Sequence, residues 1–396
     1  MNDGMRVARV DDTAFDVDLQ GDNAPGFLLR TPRRALEARG CGARLPAGGT
    51  ATLAARVGAF FADARPGVPV LVGALPFDPD GDDALHQPLS LTCPSSAAPT
   101  PVSPFVGEVH EEPSPETYAR WVREALGAIG QGRDPLRKVV LARSLRVQGT
   151  EPFDPLSLAA RLGQDPGVVP YAVALPTEAG VTPAWLVGAS PELLVSRHGL
   201  QVVSHPLAGS ARRRVDPVED AAAAQALLAS TKDHDEHRYV VEAITDALAP
   251  WCVSLQAPAR PALERTASMW HLGTRIEATL RDPATPVAAL LAALHPTPAV
   301  CGTPRAAALA TIRALEPQSR DFYAGAVGWM DAHGDGEWYV AIRCARVQGH
   351  VARVFAGAGI VAGSQPALEV AETAAKFGAL LTALGVHAAP DKDPER

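Results

Sequence analysis

Residues 324–360 read AGAVGWMDAHGDGEWYVAIRCARVQGHVARVFAGAGI. An apolar run through Val327 and Trp329 meets the polar turn HGDG at His333 to Gly336. A second run, EWYVAIRCARV, leads to Gln348-Gly349-His350, and a third, VARVFAGAGI, follows. Asp-Gly and Gly-His between extended runs signal hairpins, so the three runs are expected to form an antiparallel meander. Upstream, residues 138–147 (KVVLARSLRV) alternate as a strand does, and residues 184–203 hold strand segments broken at Ser190-Pro191 and His198-Gly199. Helices are expected over 115–129 with Ser114 as N-cap, 217–249, 286–293 and 366–384. Short turns between strands and longer helices beside them point to α+β layers, not to a doubly wound sheet.

The remaining composition sets the class. The chain has 396 residues, 47% hydrophobic and 20% charged, enough apolar material to bury a core without staples. A net charge of -8 argues against nucleic acid as a partner. Cys41, Cys93, Cys252, Cys301 and Cys344 form no close-spaced pair, so neither a disulfide framework nor a zinc ribbon is indicated. No apolar run approaches the ~20 residues that cross a bilayer, and the opening MNDGMRVARVDD lacks a signal-peptide core. A cytoplasmic location without membrane contact is the expectation. The segment CPSSAAPTPVSP is the best linker. It divides an N-terminal part, residues 1–104, packed on or completing the core, from a main body over 105–387 and a solvated tail over 388–396.

Four motifs bear chemistry, each with a plainer reading beside it. GAGIVAG (357–363) matches the dinucleotide fingerprint, but Ser364, Gln365 and Pro366 delay any helix and the preceding strand sits in a hairpin. A glycine-rich turn that offers backbone N–H groups to a carboxylate fits better. KDHDEH (232–237) reads as a solvated helix start, yet Glu236, Val240, Ile244 and Leu248 share one stripe and turn Glu236 inward. Zinc through His234 and His237 lacks an obvious third ligand. Glu372 and Lys376 have the spacing of an exposed salt pair, but Leu368 shares their stripe while Glu369 lies off it. Inward carboxylates from two helices, Glu236 and Glu372, would suit Mg²⁺. Lys138 is either a strand-end gatekeeper or a partly buried amine able to act as a base, and Glu192 has a plain reading as a turn residue.

Read together, KVVLARS, GASPELLV, PLAGSARR, KDHDEH, HLGTRI, LHPTPAVCGTP, GAVGWMD, GEWYVAIRCA, FAGAGIV and ETAAK resemble the chorismate-utilising enzymes, above all the isochorismate synthase branch of siderophore type. They run in family order through the main body, and PVLVGALPFDP (69–79) also has a familial look. The resemblance implies an α+β fold: a large antiparallel β-sandwich core with outer helices and a central active-site cleft. It implies that Glu236 and Glu372 hold Mg²⁺ bridging to a carboxylate of chorismate. It makes Lys138 the base that activates water and Glu192 the acid that protonates the departing hydroxyl. A base must be neutral and an acid protonated, and burial favours the uncharged form of each. Arg343, Gly359 and Lys376 would hold the substrate carboxylates, with His271, Gly209 and Ser210 lining the site.

Ammonia-using relatives typically have glutamine at the position of Lys138, and the aminodeoxychorismate synthases among them a lysine at that of Ala208. This chain has neither, so water is the expected nucleophile and no glutamine amidotransferase subunit is expected. Salicylate synthases tend to carry threonine near Val300 and tyrosine at Tyr323. Val300 therefore favours release of isochorismate, and Tyr323 leans toward salicylate. AVCGTP (299–304) resembles the enzymes that feed 2,3-dihydroxybenzoate siderophores, with menaquinone synthesis as the other route. A non-catalytic binding protein of the same fold would be expected to lose Lys138, Glu192 or a metal carboxylate, and all four are present. The sequence is compatible with a monomer.

Overall fold

The computed structural model describes residues 24–63, 67–93, 104–131, 135–177 and 180–386. The N-terminal stretch, the linker segment except Cys93 and Pro104, and the tail lie outside the described residues. Two large sheets carry the structure, and every ladder between their strands is antiparallel, as the hairpin signals require. The first runs in the order Gly302–Thr303, Lys138–Gly149, Val351–Ile360, Cys344–Gln348, Ala184–Ser190, Val169–Leu175, Pro25–Arg30, Ala35–Arg39, Ser90–Thr92, with Gly107–Glu112 also paired to Lys138–Gly149. The second runs Cys252–Gln256, Ile276–Leu280, Gln201–His205, Leu193–His198, Gly336–Val340, Ala326–Asp331, Val70–Leu75, Ala84–Gln87, Ala43–Arg44. A small third sheet joins Leu207–Arg212, Met269–Gly273 and Ala262–Arg265. Strands from before residue 104 therefore extend both large sheets.

Among the described residues eight α-helices pack around them: α1 (Leu53–Ala62), α2 (Pro115–Ala128), α3 (Pro155–Leu162), α4 (Pro217–Ala229), α5 (Thr231–Leu248), α6 (Val287–Leu294), α7 (Arg305–Leu315) and α8 (Pro366–Ala383). Strand alternation sorts the core into two layers. Along Ala184–Ser190, Ala184 and Leu186 enter the larger apolar cluster shared with the second sheet, while Val187 and Ala189 enter a smaller one beneath α3 and α8. Ser114 caps α2, its Oγ accepting from Thr117 N at 3.4 Å.

Two expectations need correction. The helix expected over 217–249 is two helices, because Ser230 leaves helical geometry and its Oγ accepts from Asp233 N at 3.2 Å, capping α5 afresh. The run EWYVAIRCARV is not one strand of a single meander. Gly336–Val340 belongs to the second sheet and Cys344–Gln348 to the first. The chain changes sheets at Ala341, Ile342 and Arg343. Arg343 takes the left-handed φ of 51° that the corner demands. Three bonds pin this corner: Ala341 N to Gly325 O at 2.9 Å, Tyr171 hydroxyl to Ile342 O at 3.1 Å, and Ala189 N to Arg343 O at 3.1 Å.

Candidate active site

The corner delivers Arg343 to a cavity bounded by the first large sheet, the small sheet, α5 and α8. Glu192, Gly209, Ser210, Glu236, His271, Val300, Tyr323, Arg343, Gly359, Glu372 and Lys376 all line it. Of the residues that the resemblance assigns to the site, Lys138 alone does not. It sits behind Glu236 and Gly359, fully buried, with its Nζ 3.1 Å from Glu236 Oε1.

Glycine 359 is there for space. A Cβ at that position would stand 2.1 Å from Glu236 Oε1 and 3.0 Å from Lys138 Cε. A Cβ at Gly357 would meet the Tyr323 hydroxyl at 2.8 Å. GAGIVAG thus begins within an antiparallel strand, with no helix before Pro366, and its glycines make room for an acid. Gly359→Ala is expected to displace Glu236 and to cut turnover of the site's substrate more than about ten-fold, the scale of a ~1 Å misplacement. Steady-state kinetics on the folded variant would check it; near-normal kcat would contradict this account of Gly359.

Three carboxylates on the two helices, Glu236, Glu372 and Glu369, each meet a lysine. Glu236 pairs with Lys138. Glu372 pairs with Lys376 and accepts from Ser210 Oγ at 3.0 Å. Glu369 lies 3.1 Å from Lys232 Nζ, and its Oε2 has no hydrogen-bond partner although it is buried. The α8 stripe read from the sequence was set one residue off. Glu369, Thr373, Phe377, Leu380 and Ala383 face inward, whereas Leu368 is 60% exposed. Glu372 and Lys376 flank that stripe, half-buried. Asp233, Glu369 and Lys232 were missed by the sequence reading. The available signal was position: Asp233 and Glu369 each lie three residues before Glu236 and Glu372, on the same helix face.

These charges act on one another. Burial, then the Glu372 charge, pushes the Glu369 carboxyl up to about 7 despite Lys232. Burial raises Asp233 too, aided by Glu236 and Glu372. Burial also opposes ionisation of Glu372, but Lys376, Lys232 and Ser210 outweigh it and its pKa is lowered. Burial works against the Lys232 ammonium, but the four carboxylates prevail and raise its pKa. Among the described residues no three His, Cys, Asp or Glu side chains form a ready metal cage. The donor set nevertheless fits a hard divalent cation that completes its shell with water or ligand oxygens. It is all oxygen, it comes from two helices, it crowds like charges, and it includes an orphaned buried oxygen. The histidines give zinc no support: His234 bonds Leu228 O at 2.9 Å and His237 bonds Thr274 Oγ1 at 2.7 Å.

Glu192 follows the strand end at Ser190, whose Oγ accepts from Glu192 N at 3.2 Å. Only 2% exposed, its carboxyl is pushed up to about 8 by burial, against the lowering effects of Lys138, Leu207 N–H and Lys376. It is therefore protonated at neutral pH. His271 is held neutral, well below its usual pKa, by burial and then by Arg343 and Lys376. Its Nε2 lies 3.4 Å from Arg343 Nη2. Burial brings the Arg343 guanidinium down to about 10, with Glu372 opposing, so it stays charged. Tyr323 stacks on Phe355 at 4.8 Å between centroids. The cavity thus joins cationic anchors, a protonated carboxyl and an acidic cluster, suited to a small polyanion undergoing proton transfer at two points.

Fold and cavity define a class. The chain belongs to the chorismate binding enzyme family, whose model matches residues 85–385. It is 42% identical over 383 residues to isochorismate synthase DhbC of Bacillus subtilis (strain 168), covering 91% of this chain and 94% of that one. It is 44% identical over 370 residues to a protein named putative isochorismate synthase MenF of Mycobacterium tuberculosis (strain CDC 1551 / Oshkosh), covering 92% and 97%. The crystal structure of a putative 2,3-dihydroxybenzoate-specific isochorismate synthase, DhbC from Bacillus anthracis, matches with a TM-score of 0.86 at 40% identity, over 92% of this chain and 97% of that one. No helix among the described residues is long and apolar enough to cross a membrane.

Proposed function

We propose that this protein is an isochorismate synthase, an isomerase that converts chorismate to isochorismate by adding water at C2 and releasing the C4 hydroxyl. The observation that carries the reading is Glu192: a buried carboxyl that keeps its proton to about pH 8, in one cavity with Arg343 and Lys376. Relatives named as isochorismate synthases at 42% and 40% identity support it. Arg343 and Lys376 hold the substrate carboxylates, their charges countering a protein of net -8. Lys138, once it has given up its ammonium proton to solvent and parted from Glu236, takes a proton from the attacking water. Glu192 gives a proton to the departing hydroxyl. One proton is taken and one given, so the two residues must exchange a proton before the next turnover. Neutral His271 and the strand bulge at Gly209-Ser210 fix the ring's position. Glu236 and Glu372, with Glu369 and Asp233 behind them, would hold Mg²⁺, which would supply positive charge against a substrate carboxylate. With water as nucleophile, no amidotransferase subunit is needed. The product feeds 2,3-dihydroxybenzoate formation, in keeping with the name of the structural relative from Bacillus anthracis.

Chorismate supplied with and without Mg²⁺, with isochorismate, salicylate, pyruvate and aminated products resolved by chromatography, tests the reading. Isochorismate alone, abolished by chelation and restored by Mg²⁺, is expected. Salicylate with pyruvate would move the protein to the branch toward which Tyr323 leans, and unchanged chorismate would remove the activity.

A further inference from the structure

The reaction cavity holds only about 70 Å³. Against it lies a much larger chamber of about 590 Å³, bounded by the end of α3, residues 266–268 and α8. Three partly exposed residues, Pro191, Arg343 and Lys376, line both spaces. The two anchors assigned above to the substrate carboxylates therefore also face the chamber.

Three other charged side chains line the chamber, and they are unevenly free to act. Asp165 is the one acid, and its two oxygens accept from Gly167 N at 2.9 Å and Ala267 N at 2.6 Å. Arg161 lines the wall and donates to Ala383 O at 3.0 Å. Arg212, in PLAGSARR, is exposed on the chamber wall, its side chain without a hydrogen bond or ion pair among the described residues. Its strand, Leu207–Arg212, also brings Ser210 to Glu372, so one short element connects chamber and cavity.

We propose that this chamber is an electropositive antechamber for a dicarboxylate, and that Arg212 captures the dianion and passes it to Arg343 and Lys376. The proposal rests on the chorismate reading above and adds the route by which a dianion reaches the cavity. The protein's net -8 repels a dianion at long range, whereas Arg161, Arg212, Arg343 and Lys376 line a continuous path inward. A low-dielectric cleft with an excess of one sign of charge, here four cationic side chains to one carboxylate, raises the local concentration of its counter-ion. Arg212 stands outside the reaction cavity, so it governs encounter and leaves the chemical step alone.

The test is the association rate of chorismate, followed by stopped-flow tryptophan fluorescence for wild type, Arg212→Glu and Arg212→Lys at rising ionic strength, with kcat measured beside it. Arg212→Glu is expected to slow association about ten-fold at low salt, with the gap closing at high salt. Arg212→Lys should stay near wild type, and kcat should hold in all three. Equal association rates for wild type and Arg212→Glu would overturn the antechamber, as would a salt-independent deficit or a fall in kcat alone. Absence of chorismate binding by the wild type would overturn it too. Binding without turnover would sink the isomerase reading while leaving the association rates to decide the role of Arg212.

Discussion

Replacing Lys138 by glutamine is expected to lower kcat for isochorismate formation by about 10²- to 10⁴-fold, the contribution typical of a positioned general base. The variant also removes one half of a buried pair. Lys138 is fully buried and Glu236 is 6% exposed, so the change leaves a desolvated carboxylate without its ammonium. Breaking such a pair costs about 3–5 kcal/mol. The two losses can be separated. Mg²⁺ bound at Glu236 would replace the missing positive charge, so thermal unfolding with and without Mg²⁺ should show stability largely recovered. Product chromatography on the same samples should show turnover still absent. A variant that melts normally and turns over within ten-fold of wild type would remove Lys138 from the chemistry.

Much of this arrangement was legible in the sequence, and the misses share a cause. HGDG and Gln348-Gly349-His350 announced their hairpins because turn chemistry is local. The change of sheet at Ala341–Arg343 left no such mark. Alternation through EWYVAIRCARV continues across the corner, and only the backbone reveals that Arg343 has turned left-handed. Ser230 carried its signal, a hydroxyl three residues before Asp233, but the apolar stripe on either side concealed the break. On α8 a leucine and a glutamate exchanged their expected places. Leu368 faces solvent and Glu369 the interior, since the charges gathered around Lys232 outrank a single apolar side chain. Periodicity finds buried apolar groups and treats charged ones as solvated. Asp233, Glu369 and Lys232 were therefore invisible to it, while Glu236 was found through the apolar company of Val240, Ile244 and Leu248.

Glu192→Gln should exchange activity for stability, and the exchange should follow pH. Loss of the proton donor is expected to lower kcat about 10²- to 10⁴-fold. It should also erase the fall in wild-type rate above about pH 8, where Glu192 gives up its proton. Stability moves the other way. The folded pKa of about 8 lies above the unfolded value of 4.5, so between them the unfolded chain binds fewer protons and the native state weakens as pH rises. The penalty is absent below about pH 4.5 and complete above pH 8. Glutamine is neutral throughout, and its side-chain oxygen can still accept from Leu207 N–H, the bond that Glu192 receives. At pH 8.5 the variant should therefore be more stable than wild type, by up to about 5 kcal/mol. The gain should shrink steadily toward pH 5. Denaturant unfolding of both proteins across that range reads the difference directly. A variant equally or less stable at pH 8.5 would mean that Glu192 is not held protonated by its burial, and the acid assigned to this site would have to be sought elsewhere in the cavity.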